Sequence, residues 1–310
     1  MGTVINKENL NLDVCTDQGE IVIGPLKKPR NMAGSRPAPG QDSDSSRRTG
    51  NIHDDDMAQK LGFRGGTVAG SVHMAQFPPV LIHVFGYRWW QTGSMSLYFR
   101  YATMDNEAVR CFAKNKPGLK TAENAQTDVW MEDTQDHLVA EGTASIGKPD
   151  MESALRLRMN QTPVAEDLRI LKSLKAADES RATPVRSNRA PNQERLKYIT
   201  EPLPVYFESP AYITPSLAVQ LLREGERDVL PRDGNTGVGL FGAIELQFIN
   251  GPIYADTDYI NTLKVTAVSE TPKTEYFWYE STLRDKENKK EIASMLMMLR
   301  FMKASSKLWQ

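Results

Sequence analysis

The sequence predicts an α+β protein built from two tandem units, each a long central helix wrapped by an antiparallel sheet. Three observations carry this reading. Residues 67–85 are apolar on nearly every side, through Val68, Val72, Met74, Phe77, Val80, Leu81 and Val84, and a helix that is hydrophobic all round is a buried one. The chain then switches to period two, the mark of half-buried strands. After Pro204 the same succession returns, a helix start at 215–223 followed by strand-like runs. The division is residues 1–150, a linker over 151–203, and 204–310.

Taken in order, residues 30–50 are rich in Gly, Pro, Ser and charge and read as a long loop. A short helix is expected over 56–62 and a long one over 67–85, with Pro78 and Pro79 kinking or ending it before its last turn. Three strands follow. Met95, Leu97, Phe99 and Tyr101 share one face, as do Ala125, Thr127, Val129 and Met131, and as do Leu138, Ala140, Gly142, Ala144 and Ile146. The linker mixes basic and apolar residues and is expected to carry one or two surface helices, the better one over 166–177, with a polar, breaker-rich stretch after it. In the second unit Pro215 suits a first helical turn and Leu217 faces Leu221. Strands are expected over 240–249, 259–269, 274–283 and 291–303. The pieces SLYFRYATMDNEAVRC and IELQFINGPIYADTDYIN share a strand–acidic turn–strand layout, a weak internal repeat.

Bulk properties narrow the function classes. A net charge of -1 gives no global field for nucleic acid or an anionic membrane, so neither is an expected partner. The N-terminus lacks the pattern of a signal peptide, and the longest apolar stretch falls well short of the roughly 20 residues that span a bilayer. A cytoplasmic location is expected. Two cysteines, Cys15 and Cys111, are too few for a disulfide framework or a cysteine-built zinc site.

The most informative stretch is GNIHDDDMAQKLGFRGGTVAGSVHM, residues 50–74. Its Ile52-His53, the short helix after it, Gly62-Phe63, and Gly70 seven residues beyond Phe63 resemble the MaoC-like, R-specific enoyl-CoA hydratase family. The resemblance implies two tandem hot-dog domains and addition of water to an enoyl thioester, or its removal. In that family an Asp and a His act as paired base and acid, and a glycine N–H polarises the thioester carbonyl as negative charge develops on it. Carried over, His53 matches the family histidine and Gly70 the oxyanion-hole glycine. Arg48 stands where the family has its Asp, Gly50 and Asn51 replace Asn-Pro, and Ala69 replaces the His before Gly70. Arginine keeps its proton up to a pKa above about 12 and cannot serve as a base near neutral pH. A carboxylate from Asp54, Asp55, Asp42 or Asp44 would have to take its place.

Each residue has a second reading. His53 is either the acid/base or a loop hydrogen-bonding residue. Asp54, Asp55 and Asp56 either enter the site or cap the next helix. Gly65, Gly66, Gly70 and Ser71 either approach the ligand at the helix start or serve tight packing. His73 reads as a hydrogen-bonded core histidine, while Trp89 and Trp90 either line an acyl tunnel or pack together. No metal site is expected, and no cofactor beyond CoA or phosphopantetheine as the carrier of the substrate. The reading is thus an acyl-thioester hydratase or dehydratase. Its rivals are a thioesterase on the same fold and a protein that binds an acyl or polyketide-like ligand without turnover. The resemblance further implies a homodimer, with the second half shaping the acyl pocket.

Overall fold

The period-two runs form strands where the alternation places them. The computed structural model describes residues 15–31, 52–199, 203–231 and 235–310. Its strands are β1 (Thr16–Gln18), β2 (Ile21–Ile23), β3 (Gly93–Phe99), β4 (Val109–Lys114), β5 (Ala125–Asp133), β6 (Leu138–Ile146), β7 (Thr183–Arg186), β8 (Gly239–Phe248), β9 (Asp258–Glu270), β10 (Thr274–Asp285) and β11 (Glu291–Met302). They join as one 11-stranded sheet in the order β1-β2-β4-β5-β6-β3-β8-β11-β10-β9-β7. Every pair is antiparallel, as expected for a sheet with one face packed and one partly solvated. The halves meet at β3 and β8, which pair from Ser94↔Gln247 to Tyr98↔Ala243 and then separate.

The helices are α1 (Asp55–Lys60), α2 (Gly70–Met74), α3 (Pro78–Phe85), α4 (Trp89–Thr92), α5 (Ala154–Asn160), α6 (Arg189–Ile199), α7 (Pro215–Leu222) and α8 (Glu226–Val229). The single long helix expected over 67–85 is instead two, α2 and α3. Between them the bonds tighten to Gln76 N–His73 O and Phe77 N–Met74 O. Pro78 and Pro79 have no N–H to continue the ladder, so the chain restarts with both prolines in the first turn of α3. In the second half, α7 is eight residues long, capped by the Thr214 hydroxyl on the Leu217 N–H. Neither half therefore carries one long central helix, although α2, α3 and α7 all bury apolar faces in a core shared by both halves.

The linker also departs from expectation. No helix forms over 166–177, because side chains claim its backbone donors. The Glu275 carboxylate accepts from the N–H groups of Arg169, Ile170 and Leu171, and Glu270 from those of Glu166 and Asp167. The polar, breaker-rich stretch after it holds β7 and α6. Upstream, α5 lies on the far side of the sheet. It buries Leu155 against Ala243, Tyr276, Trp278, Leu296 and Met298, a second small core opposite the main one.

Among the described residues no helix is long and apolar enough to cross a membrane. Trp89 and Trp90 are fully buried, with ring centroids 4.9 Å apart, and pack on Phe248 as core residues.

Candidate functional site

Where β3 and β8 part, a cavity of about 250 Å³ opens between the main core and the end of the inter-half seam. The first half lines it with Ile52, His53, Phe63 and Thr67–Gly70, with His73 of α2, and with Phe99 at the end of β3 and Arg100–Ala102 beyond it. The second half supplies Gly239–Gly242 at the start of β8 and Arg300 on β11. Among the described residues no Asp or Glu lines it.

His53 sits in the turn before α1. Its Nδ1 lies 2.7 Å from the Thr67 carbonyl oxygen, which can only accept, so Nδ1 carries the proton. In the neutral ring the lone pair is then on Nε2. Burial holds His53 below the ordinary histidine range; the Thr67 carbonyl opposes this and the charge of Arg223 adds to it. The imidazole is therefore neutral near pH 7, the state a general base requires.

The two candidate carboxylates are committed to the backbone. Asp54 is the N-cap of α1, accepting from the Met57 N–H at 3.1 Å. Asp55 reaches across the turn to accept from the Gly66 N–H at 2.7 Å. Gly65 and Gly66 lie in that turn, outside the cavity lining. A side chain at Gly66 would strike the His53 carbonyl, with Cβ 2.5 Å from its oxygen, so the glycine permits the loop to close. Ser71 is buried in α2 and also lies outside the lining, whereas Gly70 lines the cavity as the first residue of α2. A first-turn N–H has no partner within its helix. Arg48, Gly50, Asn51, Asp42 and Asp44 fall outside the described residues.

His73 is fully enclosed and shares a 2.9 Å hydrogen bond between Nε2 and the Thr103 hydroxyl. Its Nδ1 has no partner among the described residues. Burial pushes its pKa down to about 4, so it too is neutral near pH 7.

Several contributors have no sequence signal. Arg223, at the C-terminal end of α7, stacks over the cavity-lining Phe241 ring at 4.5 Å and forms a two-pronged pair with Glu226 at 2.8 and 2.7 Å. Burial, the largest influence on Arg223, pulls its pKa down, but Glu226 more than reverses this and keeps it charged. The Tyr279 hydroxyl completes the group by donating to Glu226. Tyr101, on the cavity wall, is flanked by the Arg64 guanidinium at 5.1 Å and the His137 ring at 4.5 Å. His137 is held in turn by Asp133, 2.8 Å from Nδ1. Among the described residues no group of three or more His, Cys, Asp or Glu is placed to hold a metal ion.

No family model matches the chain, and no curated protein matches it. Solved structures do. One, from Chloroflexus aurantiacus and described as a MaoC domain dehydratase, aligns at a TM-score of 0.54 with 11% identity, over 81% of this chain and 87% of that one. Another, a conserved hypothetical protein from Mycobacterium tuberculosis with a double hot-dog fold, aligns at 0.50 with 11% identity, over 80% and 86%. This chain has a double hot-dog fold. The likeness covers about four fifths of this chain.

Proposed function

We propose that this double hot-dog protein is an acyl-thioester hydratase or dehydratase in which His53 does both halves of the proton transfer. The observation that carries the reading is the His53–Thr67 bond at 2.7 Å, which puts the proton on Nδ1 of a neutral, buried imidazole that lines a mixed apolar and polar cavity. A second catalytic carboxylate is not needed for the chemistry to balance. In hydration, Nε2 takes a proton from water as the water oxygen bonds to C3 of the enoyl group and the C2–C3 π pair moves towards the thioester. The imidazolium then returns the proton to C2. Dehydration is the reverse. The Gly70 N–H would polarise the thioester carbonyl, on which charge builds in the transition state. Phe63, Val68, Phe99, Leu240 and Phe241 offer the acyl chain an apolar wall. CoA or a phosphopantetheine arm would carry the substrate.

The test is to offer crotonyl-CoA and saturated acyl-CoA thioesters, following enoyl absorbance and free thiol together. Loss of enoyl absorbance without thiol supports the reading. Thiol release in its place would make the protein a thioesterase. The lack of a described carboxylate on the cavity wall favours one further reading, an acyl-binding protein without turnover; binding of the thioesters with neither signal would establish it.

A further inference from the structure

On the outer face of the sheet, α5 carries two arginines in different electrostatic settings. Arg156 is neutralised twice, by Glu245 at 3.0 Å and Glu280 at 2.7 Å. Arg158, two residues on, has no carboxylate partner among the described residues, and its guanidinium lies over the Tyr98 ring at 3.9 Å from the centroid. From β11, Arg300 donates to the Tyr98 hydroxyl at 2.6 Å and likewise has no described carboxylate partner. Its Nε is shut off from solvent without a hydrogen-bond acceptor. Arg100, on the flank of the same ring at 5.8 Å, differs from both because Glu141 holds it at 2.9 Å.

An exposed arginine such as Arg158 needs no partner, but an enclosed guanidinium N–H without an acceptor is costly. The arrangement around Arg300 is built. β8 bulges against β11 between Met298 and Leu299, leaving Gly242 as the extra residue. A Cβ at Gly242 would lie 2.5 Å from Met298 Cε and 2.6 Å from Arg300 Nε, so the guanidinium occupies the space a side chain would fill. Arg158 and Arg300 border a groove of about 270 Å³ together with Tyr98, Gln161, Thr162 and Tyr276, and no described carboxylate lines it. Arg300 also lines the His53 cavity. It therefore stands between an electropositive outer groove and the inner chamber, at the gap left where β3 and β8 separate.

We propose that Arg300 and Arg158, both set against Tyr98, form a phosphate-binding subsite that holds the phosphorylated carrier of the thioester while its acyl end runs inward towards His53. Guanidinium groups pair with phosphate oxygens through short, charge-assisted bonds, and neither Arg158 nor Arg300 is neutralised by a described carboxylate. The assignment of the phosphate to a carrier rests on the acyl-thioester reading above. The subsite itself can be tested without turnover.

The experiment is calorimetric titration with CoA, 4′-phosphopantetheine, pantetheine and inorganic phosphate. Wild-type protein is expected to bind CoA at least about tenfold more tightly than pantetheine, the scale of one good charge-assisted contact. Arg158→Gln and Arg300→Gln should each weaken CoA binding by about tenfold or more and leave pantetheine unchanged. Gly242→Ala, which keeps both charges but displaces Arg300, should weaken CoA as well. Arg158 is a surface residue, so its variant reports even if Arg300→Gln folds poorly. Affinity for 4′-phosphopantetheine equal to that for CoA would place the arm's own phosphate in the subsite, and a preference for CoA would place its nucleotide end there; either supports the proposal. CoA bound no more tightly than pantetheine, or bound unchanged by both arginine variants, would overturn it. Inorganic phosphate bound as tightly as CoA would overturn the carrier assignment. Arginine-dependent CoA binding with no turnover of any acyl thioester would uphold the subsite and reject the hydratase reading.

Discussion

Phe99 packs so closely over Gly70 that a Cβ at Gly70 would lie 2.6 Å from Cε2 of the ring. Strand β3 thus presses directly on the start of α2, and both residues line the cavity. Gly70→Ala should force the Phe99 ring to move at a cost of about 1–3 kcal/mol, the usual range for overpacking. Thermal unfolding reads the cost. A drop in thioester affinity alongside it would show that the wall has moved, and an unchanged melting temperature would mean that the ring is not held in place.

Histidine protonation should set the acid limit of stability. His73 is held at about 4 by burial, against an ordinary value near 6.5. Below about 6.5 the unfolded chain takes up this proton first, so stability declines as pH falls and levels off below about 4. A gap of this size corresponds to about 3 kcal/mol, present in full above the ordinary value. His53, also held low by burial, acts in the same direction. Denaturant midpoints measured from pH 7 to pH 4 should fall for the wild type. They should fall less steeply for His73→Gln, and parallel curves would refute the assignment.

The aspartates after His53 should divide by structural role. Asp54→Ala removes the cap on the Met57 N–H and should cost about 1 kcal/mol of stability with little change in turnover. Asp55→Ala frees the Gly66 N–H and loosens the turn that positions His53, so it should raise KM more than it lowers kcat. A kcat loss as deep as that of a His53 variant, in either aspartate, would instead show a carboxylate acting in the chemistry. Steady-state kinetics on the two variants separates the cases.

Legibility in the sequence followed the range of the interactions. The strands were readable from alternation, which is a property of the chain itself, as in β5, where buried Thr127, Val129 and Met131 alternate with half-buried Asp128 and Trp130. The break between α2 and α3 was misplaced because apolar residues fall on nearly every side of the 67–85 segment, so only the prolines mark where the ladder of N–H donors stops. The linker misled for a different reason. Its 166–177 stretch has helical spacing, but Glu270 and Glu275, about a hundred residues away in sequence, take its N–H groups. In the site, His53 and Gly70 stood out through local motif context. Arg223, stacked on the cavity-lining Phe241, and Arg300, on the lining itself, carry no such mark, because the cavity forms only after the second half pairs with the first along β3 and β8. The commitment of Asp54 to a cap was one of two readings open from sequence, and a single hydrogen bond separates them.

The central claim is that His53, neutral and fixed by Thr67, transfers the proton in an acyl-thioester hydration. The most direct measurement is the rate of enoyl absorbance loss with crotonyl-CoA, in wild type and His53→Ala, with free thiol followed in the same cuvette. The wild type should consume the enoyl group without releasing thiol. The variant should be slower by about 100-fold or more, the scale of general acid–base catalysis. Its stability should fall by only about 1 kcal/mol, from loss of the bond to the Thr67 carbonyl. A His53→Ala protein that is folded and hydrates at the wild-type rate, or a wild type that leaves the enoyl group untouched, would contradict the claim.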